Sequence, residues 1–323
     1  MSRYARFDPQ AVRLRPIAER GHDLTADRCL PLEPHDEVDS SEFDELVAAI
    51  RKANRLGRPV ILFTGAHPIK LGLSRYLVDL VRTGRITHVA TNGAGMIHDF
   101  ELATVGGTSE NVARWIRVGQ FGLWEETGRL NTIVREAAER DEGLGEAVGR
   151  TICEMQNDLP HFELSLAAAC YESDVPMTVH VGVGCDIIHA HPDCDGAALG
   201  QASYTDFLIF AHSVSQLEGG VFLNLGTAVM GPEVYLKALS MARNVARRHD
   251  ESITQFTTAV FDLAPLPDDW RDGPPGKDHP QYYYRPWKTI LVRTVADGGT
   301  SYYFRLDHRE SVRALWTRLV SMP

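Results

Sequence analysis

Four short apolar runs that close on small residues constrain this chain more than any other feature. They span residues 59–66, closing on Thr64-Gly65-Ala66; 86–95, closing on Thr91-Asn92-Gly93-Ala94-Gly95; 177–184, closing on Gly182-Val183-Gly184; and 220–228, closing on Leu225-Gly226-Thr227-Ala228. A run that is apolar on both of its alternating faces suits a strand of a parallel sheet covered on both sides. Small residues at its carboxyl end let backbone N–H groups approach an anionic ligand, and the open α/β sheet binds ligands at that edge.

Stretches with helical periodicity separate the runs. Phe43, Leu46, Val47 and Ile50 recur at helical spacing behind a capping Ser40 or Ser41, and Leu73, Tyr76, Leu77, Leu80 and Val81 form an apolar face that ends at Gly84. The span 122–173 reads as covering helices and 232–247 as another helix, while 256–262 fits a fifth strand. The Gly- and Ser-containing segment 105–110 reads as a flexible loop, as does the Pro/Asp/Gly-rich 265–280, and 282–292 reads as an aromatic patch running into a sixth strand. The expected fold is α/β and doubly wound: a mostly parallel sheet with helices on both faces, Rossmann-like but without the G-x-G-x-x-G fingerprint. Residues 1–40 read as an N-terminal arm that wraps a neighbour or a partner subunit, and 41–323 as a single domain.

Composition narrows the partners. Of 323 residues, 43 are acidic and 33 basic, a net charge of −10 that disfavours a nucleic-acid ligand and favours a cationic one. There is no uninterrupted apolar stretch of about 18 residues and no apolar signal core at the start, so the expectation is a cytoplasmic protein without a membrane partner. Five cysteines without a C-x-x-C pair do not suggest a disulfide framework. Lysine is confined to Lys52, Lys70, Lys237, Lys277 and Lys288, which makes each of them worth locating.

Two clusters carry possible chemistry. His189, His191 and Asp193 lie within the dense polar segment 186–196, and in an extended chain the two histidines would project to one side as zinc ligands do, which opens a metal-dependent hydrolase as an alternative. Acidic groups of the same segment could instead hold a cationic substrate. Lys288 follows Trp287 and three tyrosines, where an aromatic wall can desolvate an ammonium group toward a nucleophile, or simply pack with it as a cation–π pair.

The order of motifs resembles the deoxyhypusine synthase family over roughly residues 43–295: a strand with its small-residue turn, a strand leading to Thr91-Asn92-Gly93-Ala94-Gly95-Met96-Ile97-His98-Asp99, a third ending near an Asp-Gly pair, Leu225-Gly226-Thr227-Ala228-Val229, the 257–262 strand and a late Trp287-Lys288. The resemblance implies an NAD cofactor contacted by Thr64, Ala66, Asn92, Gly93, Asp99, Thr258, Ala259 and Asp262. It also implies transfer of an aminobutyl-type group through a lysine imine on Lys288, with Trp287 against the polyamine. Asp186, Asp195, Asp206 and Tyr282 are the expected amine-binding groups. The sequence departs from the family pattern at Ile97-His98, where adjacent acidic residues are expected, at Met230-Gly231-Pro232, where a histidine is expected, and at Tyr282, where a glutamate is expected. A small-molecule amine acceptor, as in homospermidine formation, then suits the chain better than a protein lysine. A homo-oligomer, dimer or tetramer, with the site at a subunit interface is expected; a non-catalytic nucleotide-binding descendant is the remaining reading.

Overall fold

A computed structural model describes residues 2–321. Six strands form one sheet: β1 (Val60–Thr64), β2 (His88–Asn92), β3 (Met177–His180), β4 (Val221–Leu225), β5 (Thr257–Asp262) and β6 (Thr300–Arg305). Every neighbouring pair is parallel and the spatial order is β3-β2-β1-β4-β5-β6. This is the doubly wound order, in which the winding reverses between β1 and β4 and leaves a crevice outside their carboxyl ends. The central register sets Leu62 opposite Val89 on one side and Leu223 on the other.

The helices are α1 (Ser41–Arg55), α2 (Ser74–Arg82), α3 (Gly93–Val105), α4 (Glu125–Glu139), α5 (Leu144–Glu154), α6 (Leu166–Glu172), α7 (Gly196–Ser215), α8 (Met230–Arg247) and α9 (His308–Trp316). The Ser40 hydroxyl accepts the Phe43 N–H and caps α1 as its position predicts. Alternate strand residues face opposite cores. Leu62, Val89, Leu223 and Phe261 pack with α1, α2 and α9, whereas Ile61, Phe63, Phe222 and Val260 pack with Phe210 of α7 and Tyr235 of α8. Both faces of the sheet are therefore covered, as a parallel sheet requires.

Three segments differ from their sequence reading or sharpen it. The expected strand at 282–292 is instead a π-helical segment, Pro286–Arg293, and the sixth strand is Thr300–Arg305. Pro286 occupies the first helical turn, where its fixed φ suits a helix and its missing N–H costs nothing, and the Trp287 indole N–H donates to the Trp270 carbonyl at 2.9 Å. The 105–110 loop is not loose: Gly107–Thr108 pairs antiparallel with Leu24–Thr25, and Glu110 is buried. The N-terminal arm lies along the body of its own chain, with Ile17, Arg20, Leu24 and Ala26 buried. Among the described residues no helix is long and apolar enough to cross a membrane.

Asp206 shows how a polar group is accommodated in this interior. It is fully buried on α7, and one carboxylate oxygen accepts the Val179 N–H at 2.8 Å and the Gly145 N–H at 3.0 Å, tying β3 to α5. Burial pushes its carboxyl up to about 8. A carboxyl that holds its proton more tightly when folded favours the folded state at low pH, and this advantage fades as the pH rises from the unfolded value, about 4, toward 8. Asp206→Asn keeps a carbonyl on both amides and removes the titration. Urea denaturation should find the variant gaining on the wild type progressively between those pH values; parallel stability curves would refute the assignment.

Candidate functional site

The crevice at the switch point is closed at its base by two glycines. The Gly65 N–H donates to the Leu225 carbonyl at 3.0 Å, and a Cβ placed on Gly65 would stand 2.4 Å from the Gly226 carbonyl oxygen. Gly226 itself has φ +64, in the region that favours glycine. Thr91 donates its hydroxyl to the Thr64 carbonyl at 2.9 Å, joining β2 to β1 at the same edge. Beyond Gly226, the N-cap Val229 of α8 offers no side-chain bond, and the Thr227 hydroxyl accepts the Gly231 N–H of the first turn at 2.9 Å. Asn92 caps α3 by accepting the Gly95 N–H at 2.9 Å, and Gly93 opens that helix directly beneath Asp186.

Next to the amino end of α3 lies a cavity of about 230 Å³, walled by Ala94, Ile97, His98 and Glu101 of α3, by Lys70, by Glu110 and by Asp186. Its floor is a buried polar network. Arg20 of the N-terminal arm pairs with both oxygens of Glu101, at 3.0 and 2.8 Å. Thr108 and Thr127 donate to the same carboxylate. Burial is the largest influence and would raise the Glu101 carboxyl, but the Arg20 fork together with the Thr108 and Thr127 hydroxyls outweighs it and holds the group below the usual range. Glu110 accepts the Trp124 indole N–H at 3.0 Å and the Gly122 N–H at 3.1 Å through one oxygen, while its other oxygen has no partner among the described residues. Burial raises its carboxyl.

At the mouth, Asp186 and His189 cap each other. His189 Nδ1 accepts the N–H groups of Gly184 and Asp186, each at 3.1 Å, so Nε2 carries the ring hydrogen; it stands 3.8 Å from the Asp186 carboxylate. Burial pushes the Asp186 carboxyl up to about 6 and lowers His189.

The residues expected from sequence are dispersed. Thr64, Ala66, Asn92, Gly93 and Asp262 reach the carboxyl edge, and Asp186 lines the cavity. Asp262 accepts the Tyr284 hydroxyl at 2.8 Å. Thr258 and Ala259 lie inside β5, away from its carboxyl end, with the Thr258 hydroxyl donating to the Ile290 carbonyl. Asp99, expected at the cofactor, is buried and accepts from Ser165, Leu166 and Ala167, so it serves the amino end of α6. Asp195 is the cap of α7, where the amides of Ala198 and Ala197 hold its carboxyl below the usual range. Asp206 is engaged by backbone in the interior, away from the cavity wall.

Lys288 is buried on the opposite face of the sheet, among residues that pack with Trp287 and Ile290, and does not line the cavity. Its ammonium donates to the Tyr282 carbonyl at 3.0 Å and sits 3.7 Å from the Tyr282 ring centroid. The arrangement is a cation–π seat, with no carboxylate within ion-pair distance among the described residues. His189, His191 and Asp193 do not converge. A 3₁₀ turn over Ile187–Ala190 replaces the extended chain on which their spacing depended, His191 Nε2 pairs with the Gly122 carbonyl at 2.7 Å, and Asp193 accepts from Asn131. Among the described residues no group of three or more His, Cys, Asp or Glu side chains is placed to hold a metal ion.

Sequence reasoning missed Arg20, Lys70, His98, Glu101 and Glu110. The scarcity of lysine marked Lys70, and the helical spacing of Ala94, Ile97, His98 and Glu101 would mark one face of α3. Nothing local connects Arg20 with Glu101, 81 residues away.

Fold and edge together define a doubly wound, parallel α/β protein of Rossmann-like type whose switch point falls between β1 and β4. No family model matches the chain, and no curated protein matches it either. Among solved structures it is similar to ArgZ, an arginine dihydrolase from the ornithine-ammonia cycle in Cyanobacteria (TM-score 0.52, 13% identity, covering 88% of this chain and 34% of that one). It is also similar to AgrE, solved as a ternary complex with ornithine and NAD+ (TM-score 0.51, 13% identity, 89% and 34%). A third is a LOR/SDH-type protein from Methanococcus maripaludis S2 (TM-score 0.51, 14% identity, 90% and 70%). The chain spans about a third of the ArgZ and AgrE chains. At these identities the likeness concerns the fold.

The packing of Asp186 on α3 is testable. A Cβ on Gly93 would stand 2.1 Å from an Asp186 carboxylate oxygen. Gly93→Ala should therefore cost about 1–3 kcal/mol in chemical denaturation. Combining it with Asp186→Ala should recover much of that loss, because the obstructing carboxylate is gone.

Proposed function

We propose that the chain is an NAD-dependent enzyme acting on a small amine, with the cofactor at the crevice between β1 and β4 and the amine in the cavity beside α3. The observation that carries this reading is the glycine-closed switch point, Gly65 against Gly226, which opens onto the first turn of α8. Backbone N–H groups at a helix amino end suit a diphosphate. Thr64, Ala66, Asn92 and Gly93 border the same edge and would complete the cofactor's seat, and Asp262 closes its far side at the end of β5. When bound, NAD+ supplies a hydride acceptor. The AgrE complex with ornithine and NAD+ supports both the cofactor and an amine-bearing substrate.

A second reading keeps the lysine imine: Lys288 leaves the Tyr282 carbonyl, adds to the oxidised amine beside Trp287 and expels that substrate's original amine, and the carbon chain then passes to a small-molecule amine acceptor that expels the lysine. A buried lysine without a carboxylate partner among the described residues favours it. We further propose a homo-oligomer that covers the carboxyl edge, where Val112, Val183, Val229 and Leu263 are exposed apolar side chains.

NAD+ at a hundredfold excess over its Kd should stabilise the protein by about 2.7 kcal/mol through mass action. No shift in melting temperature at saturating NAD+ would refute the cofactor assignment, and stabilisation without turnover of any amine would mark a ligand-binding descendant. Borohydride treatment with NAD+ and spermidine should label Lys288 if the imine route operates. Unlabelled Lys288 in a protein that oxidises the amine would exclude that route. Light scattering should report a dimer or tetramer, and a monomer would refute the oligomer.

A further inference from the structure

We propose that His98 is an amine-recognition residue of the cavity, its bare Nε2 accepting a hydrogen bond from the ammonium group of the amine substrate. The proposal rests on the cofactor-dependent reading above and assigns a role to a residue outside the cofactor crevice.

The tautomer follows from counting hydrogens. The Thr108 hydroxyl has one, and it lies 2.6 Å from Oε2 of Glu101. Glu101, ionised by the Arg20 fork, can only accept. The Thr108 hydrogen therefore points to Glu101, leaving Thr108 as acceptor for His98 Nδ1 at 2.7 Å. Nδ1 must carry the ring hydrogen, and Nε2 is left with its lone pair. Burial also pushes His98 down to about 4, with Lys70, Arg20 and His67 acting in the same direction and Glu101 opposing them, so the ring is neutral near pH 7.

The other walls fit an ammonium. The carboxylate of Glu101 is fully occupied by Arg20, Thr108 and Thr127 and is unavailable to a ligand. The acceptors that remain around the cavity are His98 Nε2 and Asp186, while the unpartnered oxygen of Glu110 is buried in its wall. An ammonium has three N–H donors, and Lys70 stands at the same cavity as a counter-charge for a carboxylate at the substrate's other end. The class that fits is a small amino acid or diamine.

The ammonium keeps all of its protons: a ring that titrates at about 4 does not take one from an amine, whose ordinary value lies at about 8–10, so Nε2 accepts a hydrogen bond and the ring stays neutral. Thr108, whose hydrogen is committed to the Glu101 carboxylate, holds the ring in that tautomer and is a positioning residue.

Nitrogen-15 NMR of the full chain with labelled histidine tests the scheme without measuring turnover. Comparison with His98→Gln assigns the resonance among the 13 histidines. The expected result is a neutral ring protonated on Nδ1 at pH 7, loss of that single tautomer in Thr108→Val, and a saturable shift of Nε2 of hydrogen-bond size, with the ring staying neutral, when L-ornithine or putrescine is added with NAD+. A ring protonated on Nε2, a charged ring at pH 7, or an Nε2 that ignores both amines in a protein that NAD+ does stabilise would overturn the proposal. Failure of the cofactor reading is seen separately, as absence of stabilisation by NAD+ in the wild type, and removes this role with it.

Discussion

A sheet whose strands all run in one direction must be covered on both faces, and the rest of this structure follows from that requirement. Ile61 and Phe63 enter one core and Leu62 the other, so β1 is apolar on both faces from Val60 to Phe63. Polar chemistry is driven to the carboxyl edge, where the crossovers emerge. There the two central strands are held so closely that a side chain at Gly65 would strike the Gly226 carbonyl. The crevice, the opening of α8 and the amino end of α3 are all placed by that close approach.

Five of the six strands were legible because burial on two faces leaves a compositional trace: Val60-Ile61-Leu62-Phe63 and Val221-Phe222-Leu223 cannot be surface segments. The 282–292 stretch misled because tyrosines, Ile290 and Val292 favour strands by composition, whereas Pro286 and the burial of Trp287 decide for a helix. The site was less legible. Aspartates read as substrate or cofactor ligands turned out to hold backbone amides, Asp99 at α6, Asp195 at α7 and Asp206 between β3 and α5. A carboxylate that caps a helix and one that binds an amine look alike in a sequence, since the difference lies in what approaches from elsewhere in the chain. Arg20 is the extreme case, because its partner is set only when the arm folds across α3.

The three positions 97–99 show what changes when a motif is wound into a helix. Successive residues point about 100° apart, so Ile97 packs toward the core, His98 borders the cavity and Asp99 turns away to α6. The deoxyhypusine synthase resemblance expects acidic groups just before the aspartate. Here the cavity-facing position holds a neutral imidazole, and acidity is supplied from other segments, by Glu110 and Asp186. A solved structure from Entamoeba histolytica assigned as a deoxyhypusine synthase matches with a TM-score of 0.41 and 9% identity, too little for the fold comparison to bear on that family. The scaffold is similar in shape to the solved structures at 13–14% identity, and that likeness concerns the fold.

The N-terminal arm crosses α3 by two devices, the short pairing of Leu24–Thr25 with Gly107–Thr108 and the fork of Arg20 on Glu101. Neither belongs to the main sheet, yet the second neutralises an acid that is otherwise cut off from water. Residues 20 and 101 are therefore bound to a common evolutionary fate: a lineage that sheds or reroutes the arm must also replace Glu101, or carry a naked charge in the floor of its cavity. The arm is inherited as a piece of the site rather than as an appendage to it.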